Sequence, residues 1–293
     1  MRHIKTIYLY CKERFPPIIV AITSFLVVLS SLSVLNYSRI NLIFNIIIAT
    51  ITLLCFMFYM RVIDDYKDKE FDNKYHKDRQ IQKGKISLKY LIFLSIILTI
   101  LILGINFIKS VYASLFLFMF LIYNFASIYN FGLKKLRDNM LLYNILNMMQ
   151  MIFLQFYIYS IFSTQINFIN PLLYMHFFFV LGNISLLEVA RKLRGKKEET
   201  RANDTYSSYL GIRKSGLIFM FISIITFSLY IILILGINKL SLTIFPMLSL
   251  ISIFIFVENY TLGAYKRVKK YPLLLALIFY ITTHLTLGIG GLI

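Results

Sequence analysis

Residues 40–60 read "INLIFNIIIATITLLCFMFYM" and residues 61–87 continue "RVIDDYKDKEFDNKYHKDRQIQKGKIS". The first part carries no charge over the roughly 20 apolar residues that a helix needs to cross a hydrocarbon core. The second holds Asp64, Asp65, Asp68, Glu70, Asp72 and Asp78, in a chain with only 13 acids and a formal net charge of +18. An oily segment that opens directly onto an acidic mouth sets two questions, one of environment and one of chemistry.

Composition answers the first. With 59% hydrophobic and 15% charged residues, the 293-residue chain has more apolar side chain than a soluble domain can hide, and the surplus comes in long blocks. Nine such blocks are long enough to span a membrane: 16–36, 40–62, 88–108, 111–131, 140–162, 168–188, 215–236, 240–258 and 272–292. Lipid offers no partners to backbone amides, so these are helices, and they are too long for barrel strands of about 10 residues. The expected fold is all-α, a polytopic membrane bundle of nine transmembrane helices around a central cavity.

The basic residues orient that bundle. All but Arg39, Lys109 and Lys239 of the 31 lysines and arginines fall in the amino-terminal segment and the even-numbered connections. Cytoplasmic loops are enriched in lysine and arginine, so the amino terminus is expected in the cytoplasm, the carboxyl terminus outside, and the charged connections in a cytoplasmic cap on an inner or plasma membrane. This charge therefore points to anionic lipid and anionic substrates and requires no nucleic acid. Cys11 and Cys55 are the only cysteines, which argues against a disulfide framework, and the first apolar block has no cleavage pattern and reads as a retained span. The order of spans and charged connections suggests one domain over 1–293 with an internal repeat, 16–131 and 140–258, a ninth helix being left over.

Chemistry comes from spacing. Asp64, Asp68 and Asp72 stand at i, i+4 and i+8, and Asp65 three before Asp68, so a helix continuing past the membrane gathers them toward one acidic face. Carboxylates at that density repel one another, and a hard divalent cation such as Mg²⁺, held by one or two carboxylates with water and substrate phosphate, relieves the repulsion. The competing reading is a solvated helix end whose acids pair with Lys67, Lys69 and Lys74. Basic groups follow: Arg79, Lys83 and Lys85, then Lys134 and Lys135 after the fourth span, then Arg191 and Lys192 after the sixth. Cations beside carboxylate-held metal suit a diphosphate. Within the spans, Asn124, Asn144, Asn147, Gln150 and Gln155 are candidates to line a pocket or to bond between helices, and His176 and His284 read as packed, hydrogen-bonded histidines.

These residues resemble the UbiA superfamily of intramembrane prenyltransferases. The family's first signature, N-D-x-x-D-x-x-x-D with a following R-P-x-x-x-G-x-[IL]-S, is similar to "DDYKDKEFD" (64–72) and "RQIQKGKIS" (79–87). Its tyrosine and basic pair after the fourth helix look like "IYNFGLKK", which gives Tyr129, Lys134 and Lys135, and its closing T-L-x-x-x-x-G resembles "TYSSYLG" (205–211). Arg14, in "RFPPIIV", resembles the arginine before the family's first helix. Asp64 stands where the family has asparagine and Gln80 where it has proline. The larger departure is the second acidic signature, D-x-x-x-D: Glu188 takes one position but Lys192 the other, so that Glu198, Glu199 or Asp204 must supply a carboxylate or Lys192 must hold the diphosphate itself.

The resemblance implies transfer of a prenyl group from an isoprenyl diphosphate to a lipophilic acceptor in the membrane, aromatic or of quinone-precursor type, with Mg²⁺ as cofactor. Asp65, Asp68 and Asp72 are then the catalytic acids, with Asp64 and Glu188 joining them as metal ligands. Arg79, Lys134, Lys135, Arg191 and Lys192 bind diphosphate, and Arg14, Asn124, Tyr129 and Asn147 line the substrate pocket. The 27 Phe and 21 Tyr offer electron-rich walls for an allylic cation. Other classes compatible with the same residues are a UbiA-like terpene cyclase, a non-enzymatic member of the superfamily, and a transporter that uses the acids as an ion site.

Overall fold

A computed structural model describes residues 2–35, 37, 39–133, 135–136, 139–163, 169–199, 204–263, 265, 267–268 and 270–292, and of residues 2–5 the backbone only. Among the described residues nine helices are long and apolar enough to cross a membrane, and they fall where the apolar blocks do. The protein is an all-α polytopic membrane protein. The chain clusters into two units.

The first unit comprises Met1–Val28 and Tyr37–Gln165. It opens with α1 (Arg2–Arg14), which the apolar blocks do not announce; Pro16 and Pro17 separate it from α2 (Pro17–Ser31), Pro17 starting the new helix where its missing N–H costs nothing. Then come α3 (Leu42–Lys67), α4 (Lys69–Tyr75), α5 (Leu88–Lys109), α6 (Val111–Ile128), α7 (Met140–Met149) and α8 (Met151–Phe162). α3 packs on α5 and α8, and α6 on α8 and α5. The aromatics of α6 serve this packing, with Phe120 against Phe56 at 5.2 Å between centroids and Phe116 against Phe156 at 5.5 Å. The fifth expected span is interrupted at Gln150, whose side-chain amide donates to the Asn147 carbonyl at 2.5 Å and so competes with the main-chain ladder.

Three helices of this unit meet at a buried polar knot. Asn106 donates to Thr52 Oγ1 at 2.9 Å and to its own Ile102 carbonyl at 2.8 Å, while Tyr157 OH donates to Asn106 Oδ1 at 2.9 Å. All three side chains are fully buried. A spanning segment offers polar groups no water, so each must find its partner on a neighbouring helix.

The second unit comprises Leu29–Asn36 and Ile166–Ile293, and carries α9 (Pro171–Arg191), α10 (Tyr206–Leu210), α11 (Ile212–Gly236), α12 (Ile244–Thr261) and α13 (Tyr271–Leu292). α9 packs on α11 and α13, and α12 on α11 and α13. The turn after α2 sits tightly on α13: a Cβ added to Gly291 would lie 2.5 Å from the Ser33 Cα, and one added to Gly288 2.6 Å from Leu29 Cγ. His176 and His284 are both buried and meet at Ser30 Oγ, 3.1 Å from His176 Nε2 and 2.7 Å from His284 Nδ1.

Candidate functional site

The acids of the opening stretch lie where α3 outruns its apolar segment. Asp68 ends α3 and begins α4, with φ −94° and ψ 7°. Even so its N–H donates to the Asp64 carbonyl at 2.9 Å, and its own carbonyl accepts from Asp72 N at 2.8 Å. The i to i−4 pattern thus runs through the join. Asp64, Asp68 and Asp72 step by about 40° along one side of the helix, which brings Asp72 within about 20° of Asp65.

Asp65 and Asp72 are each only 3% exposed. Asp65 Oδ2 accepts from Tyr10 OH at 2.7 Å; its Oδ1 accepts from Arg14 Nε at 3.1 Å and Nη2 at 2.5 Å, and from Arg61 one helical turn earlier. Asp72 Oδ2 pairs with Arg79 and lies 3.9 Å from Arg14 Nη2. Burial pushes the Asp72 carboxyl above its ordinary pKa, and the Arg79 guanidinium opposes that shift. Burial and the Asp65 charge push the Tyr10 hydroxyl up, so it remains a donor. Three guanidiniums, Arg61 also facing Asp64 and Asp68, surround the two buried carboxylates, and such donors suit an anion.

Asp64 is engaged differently. Lys67 Nζ lies 3.2 Å from its carboxylate and 3.2 Å from Asn147 Oδ1, and stands 5.7 Å from the centre of the Tyr143 ring. The lysine side chain is 3% exposed. Asp64 thus pairs with Lys67, the lysine buried and the carboxylate one-third exposed. Asn147 of α7 is brought to this helix end, whereas Asn124 is turned back on its own helix, donating to Phe120 O at 3.0 Å. Tyr129, at the end of α6, is exposed, packs on Phe125, and is not brought to the acids. Lys135 is exposed, and Lys134 lies outside the described residues.

At the end of α9, Glu188 is held by its own helix. Arg191 donates to both its oxygens, at 2.9 and 2.7 Å, and Lys192 Nζ lies 3.0 Å from Oε1. Among the neighbouring acids, Glu198 accepts from Gly195 N at 3.1 Å and Val268 N at 2.7 Å, and Glu199 accepts from Thr205 Oγ1 at 2.6 Å. Those two carboxylates fasten loops. Thr205 caps α10 with a reciprocal bond to Ser208, and Gly211 takes φ +82° to turn the chain into α11, a conformation that costs glycine little.

Tyr10 and Arg61 are residues at the site that sequence reasoning missed, and Lys67 entered it only as a partner in a solvated helix end. α1 carried a legible signal: Ile7, Tyr10, Cys11 and Arg14 recur at helical spacing, and the first three are the face that packs against Phe58, Val62, Ile86 and Leu91.

Carboxylate oxygens at i, i+4 and i+8 are the hard donors that Mg²⁺ takes. Among the described residues no three acids, histidines or cysteines converge to hold a metal ion, so an ion here would take most of its shell from water and substrate phosphate. The donor chemistry fits.

Among the described residues, nine helices fit to span a membrane, one of which ends in carboxylates bordered by partly buried arginines, define a polytopic membrane protein with a charged site at a helix terminus. The chain belongs to the UbiA prenyltransferase family, whose model matches residues 18–282. Members of that family in general transfer a prenyl group from an isoprenyl diphosphate to a lipophilic acceptor and use Mg²⁺ through acidic motifs. No curated protein and no solved structure matches the chain.

Proposed function

We propose that this protein catalyses Mg²⁺-dependent transfer of a prenyl group from an isoprenyl diphosphate to a membrane-associated acceptor of aromatic or quinone-precursor type. The observation that carries the reading is the row of Asp64, Asp68 and Asp72 across the α3–α4 join, its last acid held by Arg79 and Arg14. Mg²⁺ bound there would supply charge neutralisation for a diphosphate. Arg79 and Arg14 would hold the diphosphate oxygens and stabilise the negative charge that builds as the allylic carbon–oxygen bond breaks, its electron pair leaving with the diphosphate. The acceptor carbon supplies the new bond and loses a proton. Lys67, fixed by Asp64 and Asn147, adds a further positive charge to this helix end. Because Glu188 is already neutralised by Arg191 and Lys192, we favour a single acid-bound cation over two.

The test is isothermal titration of a prenyl diphosphate into detergent-purified protein with and without Mg²⁺. Binding that requires the ion is expected, and Mg²⁺-independent or absent binding would overturn the reading. Product analysis with and without hydroxylated aromatic acceptors then separates transfer from cyclisation of the donor.

A further inference from the structure

Asp65 is the most heavily engaged acid of the site, and its partners come from outside the acidic face. One oxygen accepts from Tyr10 and the other from Arg14, both on α1, while Arg61 adds a second guanidinium from the preceding turn. A carboxylate that already faces two guanidiniums has its charge more than balanced, and a divalent ion placed on it would sit against both of them. Its neighbour Asp64 is one-third exposed and pairs with Lys67 instead. Asp65 therefore differs from its neighbour Asp64 in its partners, and shares Arg14 with the equally buried Asp72.

What Asp65 holds is α1. Tyr10 is fully buried, its ring edge-on to Phe58, and it belongs with Phe15, Phe58, Val62, Ile86 and Leu91 to one apolar cluster. That cluster joins α1 to α3 and to the loop that carries Arg79. On the same helix Glu13 accepts from the backbone N–H of Gln80 at 3.2 Å, and Gln80 is next to Arg79. Arg14, fixed by Asp65, reaches toward Asp72 from the other side. The chain of contacts runs from Asp65 through α1 to both arginines that flank Asp72.

We infer that Asp65 is a positioning residue, the anchor by which α1 sets Arg14 and Arg79 around Asp72, and that it is not a cation ligand. This rests on the reading of the site given above, with the cation on Asp64 and Asp68, and Asp72 held by Arg79 and Arg14.

Cys11 of α1 is half-buried against the same cluster and reports on docking. In a Cys55→Ser background, full-length detergent-purified protein is alkylated with N-ethylmaleimide, and Mn²⁺ binding is followed in parallel by the paramagnetic resonance of the free ion. Asp65→Asn is expected to quicken Cys11 alkylation several-fold while Mn²⁺ affinity stays within about threefold. Asp68→Asn should do the reverse, losing tenfold or more in Mn²⁺ affinity with Cys11 still protected. Tyr10→Phe, which removes one hydroxyl and keeps the ring, should loosen Cys11 without changing Mn²⁺ affinity, and it serves should Asp65→Asn fail to fold. A tenfold loss of Mn²⁺ affinity in Asp65→Asn with Cys11 protection intact would overturn the assignment, as would unchanged Cys11 reactivity in both Asp65→Asn and Tyr10→Phe. If the unsubstituted protein takes up no Mn²⁺, the cation site falls, and the alkylation rates alone decide whether Asp65 anchors α1.

Discussion

Individual side chains near the helix ends differ in what their loss should do. Asp68→Asn removes one charge from the row of acids and should lower turnover of a prenyl diphosphate at least tenfold with the thermal transition unmoved. Asp78, fully exposed beside Lys83, is the control, and Asp78→Asn should change neither. Lys192 tests the departure from the family's second signature: if it contacts diphosphate itself, Lys192→Asp should raise the Mg²⁺ concentration needed for donor binding, a charge-assisted contact having been exchanged for one that works only through a cation. Superimposable Mg²⁺ titrations for the two proteins would return Lys192 to its place beside Glu188. Deeper in the first unit, Tyr157→Phe takes away the hydroxyl bonded to Asn106 and should cost about 0.5–1.5 kcal/mol, read as a lowered unfolding temperature in detergent.

Elements meet through features that a single helix cannot show. α13 approaches the turn after α2 closely enough that Gly291→Ala would drive a methyl into the Ser33 backbone, which cannot retreat as a flexible side chain would. That substitution should destabilise the protein by about 1–3 kcal/mol, measurable as a shifted transition, whereas Gly104→Ala, where nothing stands within 4 Å, should not. The join between α3 and α4 matters for the opposite reason: its hydrogen bonds continue, so three acids spread over nine residues keep a common face.

At the scale of the whole molecule the charge distribution should fix topology. With all but three of the 31 basic residues in one set of connections, the amino terminus is expected in the cytoplasm and the carboxyl terminus outside. Native Cys11 is a poor probe for this, because burial raises its thiol pKa and leaves little thiolate to react. Cysteines added ahead of Met1 and after Ile293 are better, and in intact cells an impermeant maleimide should reach only the second. Labelling of the first would invert the orientation and move the acidic face to the other side of the membrane.

The primary structure by itself determined the membrane class, the nine spans and the helical face of Asp64, Asp68 and Asp72, because each depends on local properties: hydropathy over about 20 residues and a period of 3.6. The same locality made the neighbours Asp64 and Asp65 look alike, since spacing along one helix says nothing of what stands opposite. Only tertiary packing decided that Asp65 meets Tyr10 and Arg14 while Asp64 meets Lys67 and Asn147. It likewise closed the Thr52–Asn106–Tyr157 knot and brought two histidines more than 100 residues apart to one serine. Such pairings depend on which buried polar group finds a partner when several helices pack without water, and that choice is made between elements, not within them.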